Sequence, residues 1–220
     1  MVHLQQDLAV LKNTLLTMAS HAESAVRRGL EALATRDTDL ALRVRDDDTI
    51  IDRFEIEVDE MAIRLLSMAP LARDLRLIAV TMKISHNLER VGDEASKIAK
   101  RARDLNLEAP LKLDVPIPEM AELSLQLLKT SLDAFVNVNP AAARALIPQD
   151  KPIDALNKQI HRLLADQMVR DPQTITRCLH LMVVAKSLER IADHAKNVAE
   201  DVVYLCEAED IRHTARTQPA

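Results

Sequence analysis

Residues 187–200 read SLERIADHAKNVAE, and residues 87–100, one hundred positions earlier, read NLERVGDEASKIAK. Six of the fourteen positions are identical, and each stretch carries a Glu and an Asp four residues apart. A second pair of similar stretches stands in the same order, with DTIIDRFEIEVDE at 48–60 and DKPIDALNKQIHR at 150–162. Two matches at nearly the same spacing indicate an internal duplication, in which each copy is one structural unit.

The amino-acid composition favours an all-α fold. Apolar residues make up 48% of the 220 residues, whereas aromatic residues make up only 1% and there are two glycines. Aliphatic residues, Ala and Met must therefore build the core, and they suit helices better than sheets. Charged residues, at 29%, fit helices that keep one face in solvent.

Prolines divide the chain into helical segments, because Pro cannot continue a helix. Six segments are predicted, three before and three after a proline-rich linker, with Pro70 separating the second from the third: about 3–34, 38–68, 71–106, 117–138, 140–169 and 173–207. Three amphipathic helices can form a bundle. The sequence thus predicts two tandem three-helix bundles, with bounds of 1–107 for the first, 108–118 for the linker and 119–220 for the second.

Charge and hydropathy exclude several classes of protein. A net charge of −5 argues against a nucleic-acid binder, which needs a basic face for phosphate contacts. The N-terminus does not read as a signal peptide, and no uncharged run approaches the about 20 residues of a membrane span. The two cysteines are too few and too far apart for a disulfide scaffold. We therefore expect a cytoplasmic protein, which could still dock on a membrane protein.

Acidic residues line one face of two predicted helices in each repeat. At 100° per residue, Glu89 and Asp93 share a face that points away from the apolar stripe of their helix. Asp48 and Asp52 likewise share a face of the preceding helix. The corresponding positions of the second repeat are also acidic: Asp150, Asp154, Glu189 and Asp193. Carboxylates from adjacent helices are ligands of Mg²⁺, Mn²⁺ and iron, although such acids can also form ordinary solvated faces.

Comparison of the two repeats favours metal binding over a solvated face. The paired acids are retained, whereas their exposed neighbours changed: His86 to Lys186, Glu55 to Asn157 and Asp59 to His161. Arg90 and Arg190 are also retained. A guanidinium can bind phosphate or a partner's carboxylate with two hydrogen bonds, so these arginines are candidate partner-binding residues, although a structural ion pair is equally compatible with the pattern.

These features together resemble the PhoU family of phosphate-transport regulators. Duplicated three-helix units carry an E/DxxxD motif on the second and third helices, and DLRLIAV (74–80), SLERIADHAKNVAED (187–201) and EDIRH (209–213) are similar to segments of that family. The resemblance extends from near residue 7 to about residue 213.

The resemblance implies a cytoplasmic negative regulator of the phosphate-starvation response, located at the inner face of the membrane through its protein partners. It further implies that the protein couples the phosphate ABC transporter ATPase to a phosphate-sensing histidine kinase and forms a homodimer. Metal clusters would be held by the acidic motifs, with iron, zinc, manganese or magnesium as the ion. The implied metal ligands are Asp48, Asp52, Glu89 and Asp93 in the first repeat, and Asp150, Asp154, Glu189 and Asp193 in the second.

The sequence departs from the motif pattern of the family at two positions. Ala192 replaces the Gly found at position 92, and Pro152 falls inside the Asp150/Asp154 pair, so Asp150 need not share a face with Asp154.

Two alternatives to a metal-binding regulator remain. A ferritin-like di-iron enzyme would need Glu-x-x-His motifs, and the sequence contains none. We therefore expect a protein without enzymatic activity. A helical scaffold that binds no metal is the alternative.

Overall fold

The structure is a computed structural model that describes residues 2–68 and 71–212, and these ranges contain helices and no β-strand. Pro70 and His213 lie outside the described residues. The helices of the first repeat are α1 (Val2–Thr35), α2 (Thr38–Asp46), α3 (Asp48–Leu66) and α4 (Ala72–Asn106). Those of the second repeat are α5 (Ile117–Val136), α6 (Pro140–Leu146), α7 (Lys151–Arg170) and α8 (Ile175–Glu207). The predicted all-α fold is confirmed.

The prediction of one continuous middle helix in each repeat is wrong. The segment predicted at 38–68 is interrupted at Asp47, which ends α2 and precedes α3. The segment predicted at 140–169 is interrupted by a 3₁₀ turn at Ile147–Asp150. Pro148 lies in this turn and has no N–H for an α-helical hydrogen bond. The interruption is thus itself part of the duplicated pattern.

The short helices α2 and α6 begin with side-chain caps. The Asp37 carboxylate accepts a hydrogen bond from the Leu40 backbone N–H, and the Asn139 side chain accepts one from Ala142. Each cap satisfies a backbone donor that has no partner inside the helix. Both middle segments therefore begin with a capped helix, and the acid-bearing helices α3 and α7 follow after the interruptions.

Helices α4 and α8 form the centre of the molecule and pack against each other in antiparallel orientation. Lys83 of α4 contacts Asp201 of α8, while Glu94, further along α4, contacts Arg190, earlier on α8. One continuous cluster of buried side chains includes residues of both repeats, and a smaller cluster joins α1, α3 and α4. The two repeats consequently share a core along α4 and α8.

Within the described ranges, no helix combines the length and the apolar character needed to cross a membrane. The most apolar surfaces of α4 and α8 face the shared core instead. Leu88 and Ile98 of α4, and Leu188 and Val198 of α8, are fully buried there. Their charged neighbours point to the sides of the molecule, where α3 and α7 approach.

Candidate carboxylate sites

The first repeat brings its predicted acids together where α3 crosses α4. Asp48 is the first residue of α3, and it lies beside Gly92 of α4. A Cβ atom at Gly92 would stand 3.3 Å from Asp48 Oδ1 and only 2.8 Å from Ile51 Cδ1. The absence of a side chain at Gly92 thus lets the start of α3 approach α4 closely.

The charges of these acids act on one another. The pKa of Asp48 is raised, first by burial and then by the neighbouring carboxylates of Asp52 and Asp93, with the Ser96 hydroxyl opposing the change. The pKa of Glu89 is raised by burial and by Asp93. Clustered carboxylates resist ionisation, and a bound cation would relieve that repulsion.

A histidine adds a ligand type that the sequence interpretation did not assign to this site. Glu55, His86 and Glu89 each offer one ligand atom, and these atoms lie within 4.8 Å of one another. His86 Nδ1 lies 3.1 Å from Glu55 Oε1. Spacing could have suggested the group, because His86 lies one helical turn before Glu89 and Glu55 lies one turn after Asp52. The second repeat has Lys186 and Asn157 at the equivalent positions, so neither His86 nor Glu55 is retained between the repeats.

Arg90 is turned towards the acids of its own helix. Its Nε lies 3.1 Å from Glu89 Oε2, and its NH1 donates to Asp93 Oδ2 at 3.1 Å. Glu89 Oε2 is enclosed and makes no aligned hydrogen bond, despite the nearby guanidinium. Arg90 therefore offsets part of the local negative charge, and partner binding through this residue stays a prediction.

The second repeat arranges its acids differently. The pKa of Asp193 on α8 is raised by partial burial, then by the Glu189 carboxylate of its own helix and by the Asp154 carboxylate of α7. Lys186 donates a hydrogen bond to Glu189. Glu189 is therefore already paired with a cation from its own helix.

Asp150 is separated from this group by the interruption of the middle segment. It is the last residue of the 3₁₀ turn and stands just before Pro152, which occupies the first turn of α7. Its carboxylate is buried and accepts a hydrogen bond from Lys196. The Asp150/Asp154 pair is therefore not repeated in the form of the Asp48/Asp52 pair, although a metal-binding role for Asp150 stays a prediction.

Arg190 connects the two repeats. Its NH1 donates to Glu94 Oε1 of α4 at 3.1 Å, and Lys97 donates to the same oxygen at 2.9 Å. Burial would raise the pKa of Glu94, but hydrogen bonds from Lys97, Ser187 and Arg190 together lower it. The guanidinium of Arg190 is thereby drawn to the opposite repeat.

The position equivalent to Glu94 holds His194. This imidazole hydrogen-bonds Asn87 of α4, with His194 Nδ1 2.9 Å from Asn87 Oδ1. Burial lowers the pKa of His194, so the neutral imidazole is favoured. Arg90 thus has no acid on α8 equivalent to Glu94, and it contacts the acids of its own repeat instead.

The fold and the carboxylates define a class: duplicated helical proteins that carry acidic clusters on the outer sides of two packed repeats. The sequence model of the PhoU domain matches residues 15–102 and 117–202, one match in each repeat. The chain belongs to the PhoU family. The resemblance found in the motifs is confirmed.

Known relatives cover nearly the whole chain. A "Phosphate-specific transport system accessory protein PhoU homolog" of Zymomonas mobilis is 38% identical over 200 residues, which are 90% of this chain and 84% of that protein. A protein of the same name in Aquifex aeolicus is 38% identical over 94% of this chain and 95% of its own length.

Solved structures show the same fold. The crystal structure of PhoU from Pseudomonas aeruginosa superimposes with a TM-score of 0.90 at 36% identity, over 93% of this chain and 99% of that one. PhoU from Streptococcus pneumoniae, described as a phosphate transport system regulatory protein, has a TM-score of 0.88 at 26% identity, over 94% and 99% of the two chains.

Proposed function

We propose that this protein is a negative regulator of phosphate uptake and of the phosphate-starvation response. The observation that carries the proposal is family membership across both repeats, with relatives named as accessory proteins of the phosphate-specific transport system. The helical fold does not by itself specify this function, so the proposal rests on family membership.

The proposed partners are the ATPase of a phosphate ABC transporter and a phosphate-sensing histidine kinase. The protein would bind both partners at the inner face of the membrane, and it would act there as a cytoplasmic adaptor in the form of a homodimer. The long outer faces of α3 and α7 offer extended contact surfaces for such partners. Binding to both would let the transport state of the ATPase be communicated to the kinase.

Metal binding is proposed as part of this activity. The residues present in the first repeat fit a cation, because an enclosed Glu89 oxygen lacks an aligned hydrogen bond and Asp48 and Asp93 add to the negative charge. A bound ion would neutralise these carboxylates and fix α3 against α4. The second candidate is an adaptor that needs no metal, favoured by the ion pairs that Arg90 already makes there.

Deleting the gene tests the regulatory role. We expect phosphate-responsive genes to stay switched on in phosphate-rich medium, and a transcriptional reporter for such a gene would measure this. A plasmid carrying the wild-type chain should restore repression. Two variants separate the candidates: E89Q/D93N removes the carboxylates, and R90Q removes only the ion pairs that Arg90 makes with them. Loss of repression in E89Q/D93N together with normal repression in R90Q supports the metal-binding regulator. Normal repression in the deletion strain would contradict the regulatory role.

A further inference from the structure

The acidic sites of the two repeats differ at the positions that supply or exclude a cation. His86 of the first repeat corresponds to Lys186 of the second, and Ser96 corresponds to Lys196. In each case a side chain without a fixed positive charge is replaced by a lysine. Both lysines contact carboxylates of the acidic motifs in the second repeat.

The lysines occupy the two ends of the second acidic group. Lys186 pairs with Glu189, and Lys196 pairs with Asp150, whose side chain is only 10% exposed. An ammonium group held by a carboxylate contributes the positive charge that an ion would otherwise bring. A metal would have to displace a lysine from Glu189 and would then leave two like charges close together.

The first repeat differs at the position of Lys186. Arg90 contacts Glu89, but the residue one turn before Glu89 is His86 and not a lysine, and Glu55 approaches the same point from α3. Asn157 stands at the position equivalent to Glu55, so the second repeat also lacks this carboxylate. In the part of the chain that the structure describes, Glu55, His86 and Glu89 are the one such group of three potential ligands.

The geometry of this group suits a single ion. Nitrogen and oxygen ligands bind zinc at about 2.0–2.2 Å, so two ligand atoms of one ion lie between about 3 and 4.4 Å apart. The separation of 3.1 Å between His86 Nδ1 and Glu55 Oε1 falls in this range, and the outer limit of 4.8 Å for the group requires only a small inward movement. All three side chains keep some contact with solvent, which gives an ion access.

We propose that metal binding in this protein is asymmetric. The first repeat binds one transition-metal ion through Glu55, His86 and Glu89, whereas the second repeat is neutralised by Lys186 and Lys196 and binds none. This inference rests on the proposed metal-binding function, and it adds a nitrogen ligand outside the acidic motifs. Because imidazole suits Zn²⁺ and iron better than Mg²⁺, the site should bind Zn²⁺ most tightly, with Mn²⁺ as a weaker ion that serves as a spectroscopic probe.

Mn²⁺ loading tests both halves of the proposal. The full-length protein is equilibrated with Mn²⁺, desalted and analysed for bound manganese, and pulsed electron paramagnetic resonance detects any nitrogen bound to the ion. We expect one ion per chain with a directly bound nitrogen. H86Q should remove the nitrogen signal and weaken binding at least tenfold, and E55Q should weaken binding as well.

Variants of the second repeat provide matched controls. E189Q should leave manganese binding unchanged, because its carboxylate is not a ligand. K186H removes one internal cation and supplies an imidazole one turn before Glu189, but Lys196 and Asn157 are unchanged, so we expect this variant still to bind a single ion. Lys186 is exposed, so this variant should fold, and its circular dichroism should match that of the wild type.

Three outcomes would overturn the proposal: two ions bound to the wild-type chain, a nitrogen signal that survives in H86Q, or no manganese bound to the wild-type chain. The regulatory proposal is judged separately, by repression of the phosphate-responsive reporter. A chain that represses normally without binding metal would thus contradict this inference and leave the regulatory role intact.

Discussion

Asp201 lies between α8 and α4 with a side chain that is only 7% exposed. Lys83 Nζ approaches one of its carboxylate oxygens at 3.2 Å, and the same ammonium group lies over the Tyr204 ring. Burial nevertheless raises the pKa of Asp201, with Asp210 adding to the shift while Lys83 and Arg212 oppose it. The ionised form of Asp201 is therefore less favourable in the folded protein than in the unfolded chain.

Replacing Asp201 by Asn should stabilise the protein at neutral pH. A carboxyl whose folded pKa is raised adds stability below its unfolded value of 3.8, and that stability is lost as the pH rises through the folded pKa. Each unit of the shift is worth about 1.4 kcal/mol. Urea denaturation of D201N at pH 7 should show a higher free energy of unfolding than the wild type, with the difference vanishing towards pH 3.8.

K83M is the matched control for this prediction. It leaves Asp201 without its cation, so the free energy of unfolding at pH 7 should fall by about 1 kcal/mol, a small value because Lys83 is partly in solvent. A D201N variant that is destabilised at every pH would show that the ion pair outweighs the burial of the carboxylate.

The acidic residues could be predicted from the sequence, but most of the basic residues that pair with them could not. The pairing of Lys186 with Glu189 can be read from helical spacing, because one turn separates the two residues. The pairing of Lys196 with Asp150 joins two elements, and that of Arg190 with Glu94 joins two repeats. Both depend on how helices pack, which residue spacing within a helix does not specify.

Among the elements, α3 and α4 are held close together by the absence of a side chain at Gly92. A Cβ there would approach Ile51 Cδ1 to 2.8 Å, well inside van der Waals contact. Ile51 is 2% exposed, so its side chain has little room to move. In the second repeat, Ala192 stands at the equivalent position and is buried. The two repeats therefore set the spacing of their acid-bearing helices differently.

G92A should destabilise the protein even though Ala favours helix. The gain in helix propensity is about 1 kcal/mol, and overpacking a core typically costs about 1–3 kcal/mol, so we expect a net loss of about 1 kcal/mol. I51V deletes the Cδ1 atom that the new methyl group would meet, at a cost of about 0.5–1.5 kcal/mol by itself. In the I51V background, G92A should become neutral or stabilising.

A double-mutant cycle measured by urea denaturation isolates the contact between these two positions. The coupling should reach about 1 kcal/mol, with the double variant more stable than the sum of the single changes predicts. Strictly additive effects would show that Ile51 does not limit how closely α3 approaches α4.

The elements were predictable where local signals are strong. Apolar periodicity and prolines located α1, α4, α5 and α8 within about two residues at each end, because the amphipathic pattern persists over many turns. The starts of α3 and α7 were placed about ten residues too early, since each middle segment was predicted as one helix. The interruption at Asp47 was missed, since it has no proline or glycine and Asp47 itself keeps a right-handed helical backbone. Pro148 and Pro152 were visible in the sequence, but the 3₁₀ turn that joins α6 to α7 depends on how the segment packs against α8.

For the molecule as a whole, the duplication predicted two bundles, and the structure gives them a common core. Leu88 of α4 and Leu188 of α8 occupy equivalent positions in the repeats, and both are fully buried in the same cluster. The ion pairs of Glu94 with Arg190 and of Lys83 with Asp201 cross the same interface. The bounds of 1–107 and 119–220 therefore stay a prediction of where each repeat begins and ends. They do not state that either repeat folds without the other.

We predict that the two repeats unfold together. Truncating a fully buried Leu to Ala typically costs about 2–5 kcal/mol, because the cavity is only partly refilled. If α4 and α8 belong to one cooperative unit, L88A and L188A should each move a single transition to lower temperature, by similar amounts and without splitting it. Differential scanning calorimetry measures this directly, since the calorimetric and van't Hoff enthalpies agree for an all-or-none transition.

Independent repeats would behave differently: L88A would produce a separate early transition for the first repeat, and L188A one for the second. Cooperative unfolding would mean that an ion bound in the first repeat stabilises the second as well, because a ligand of the folded state shifts the whole equilibrium.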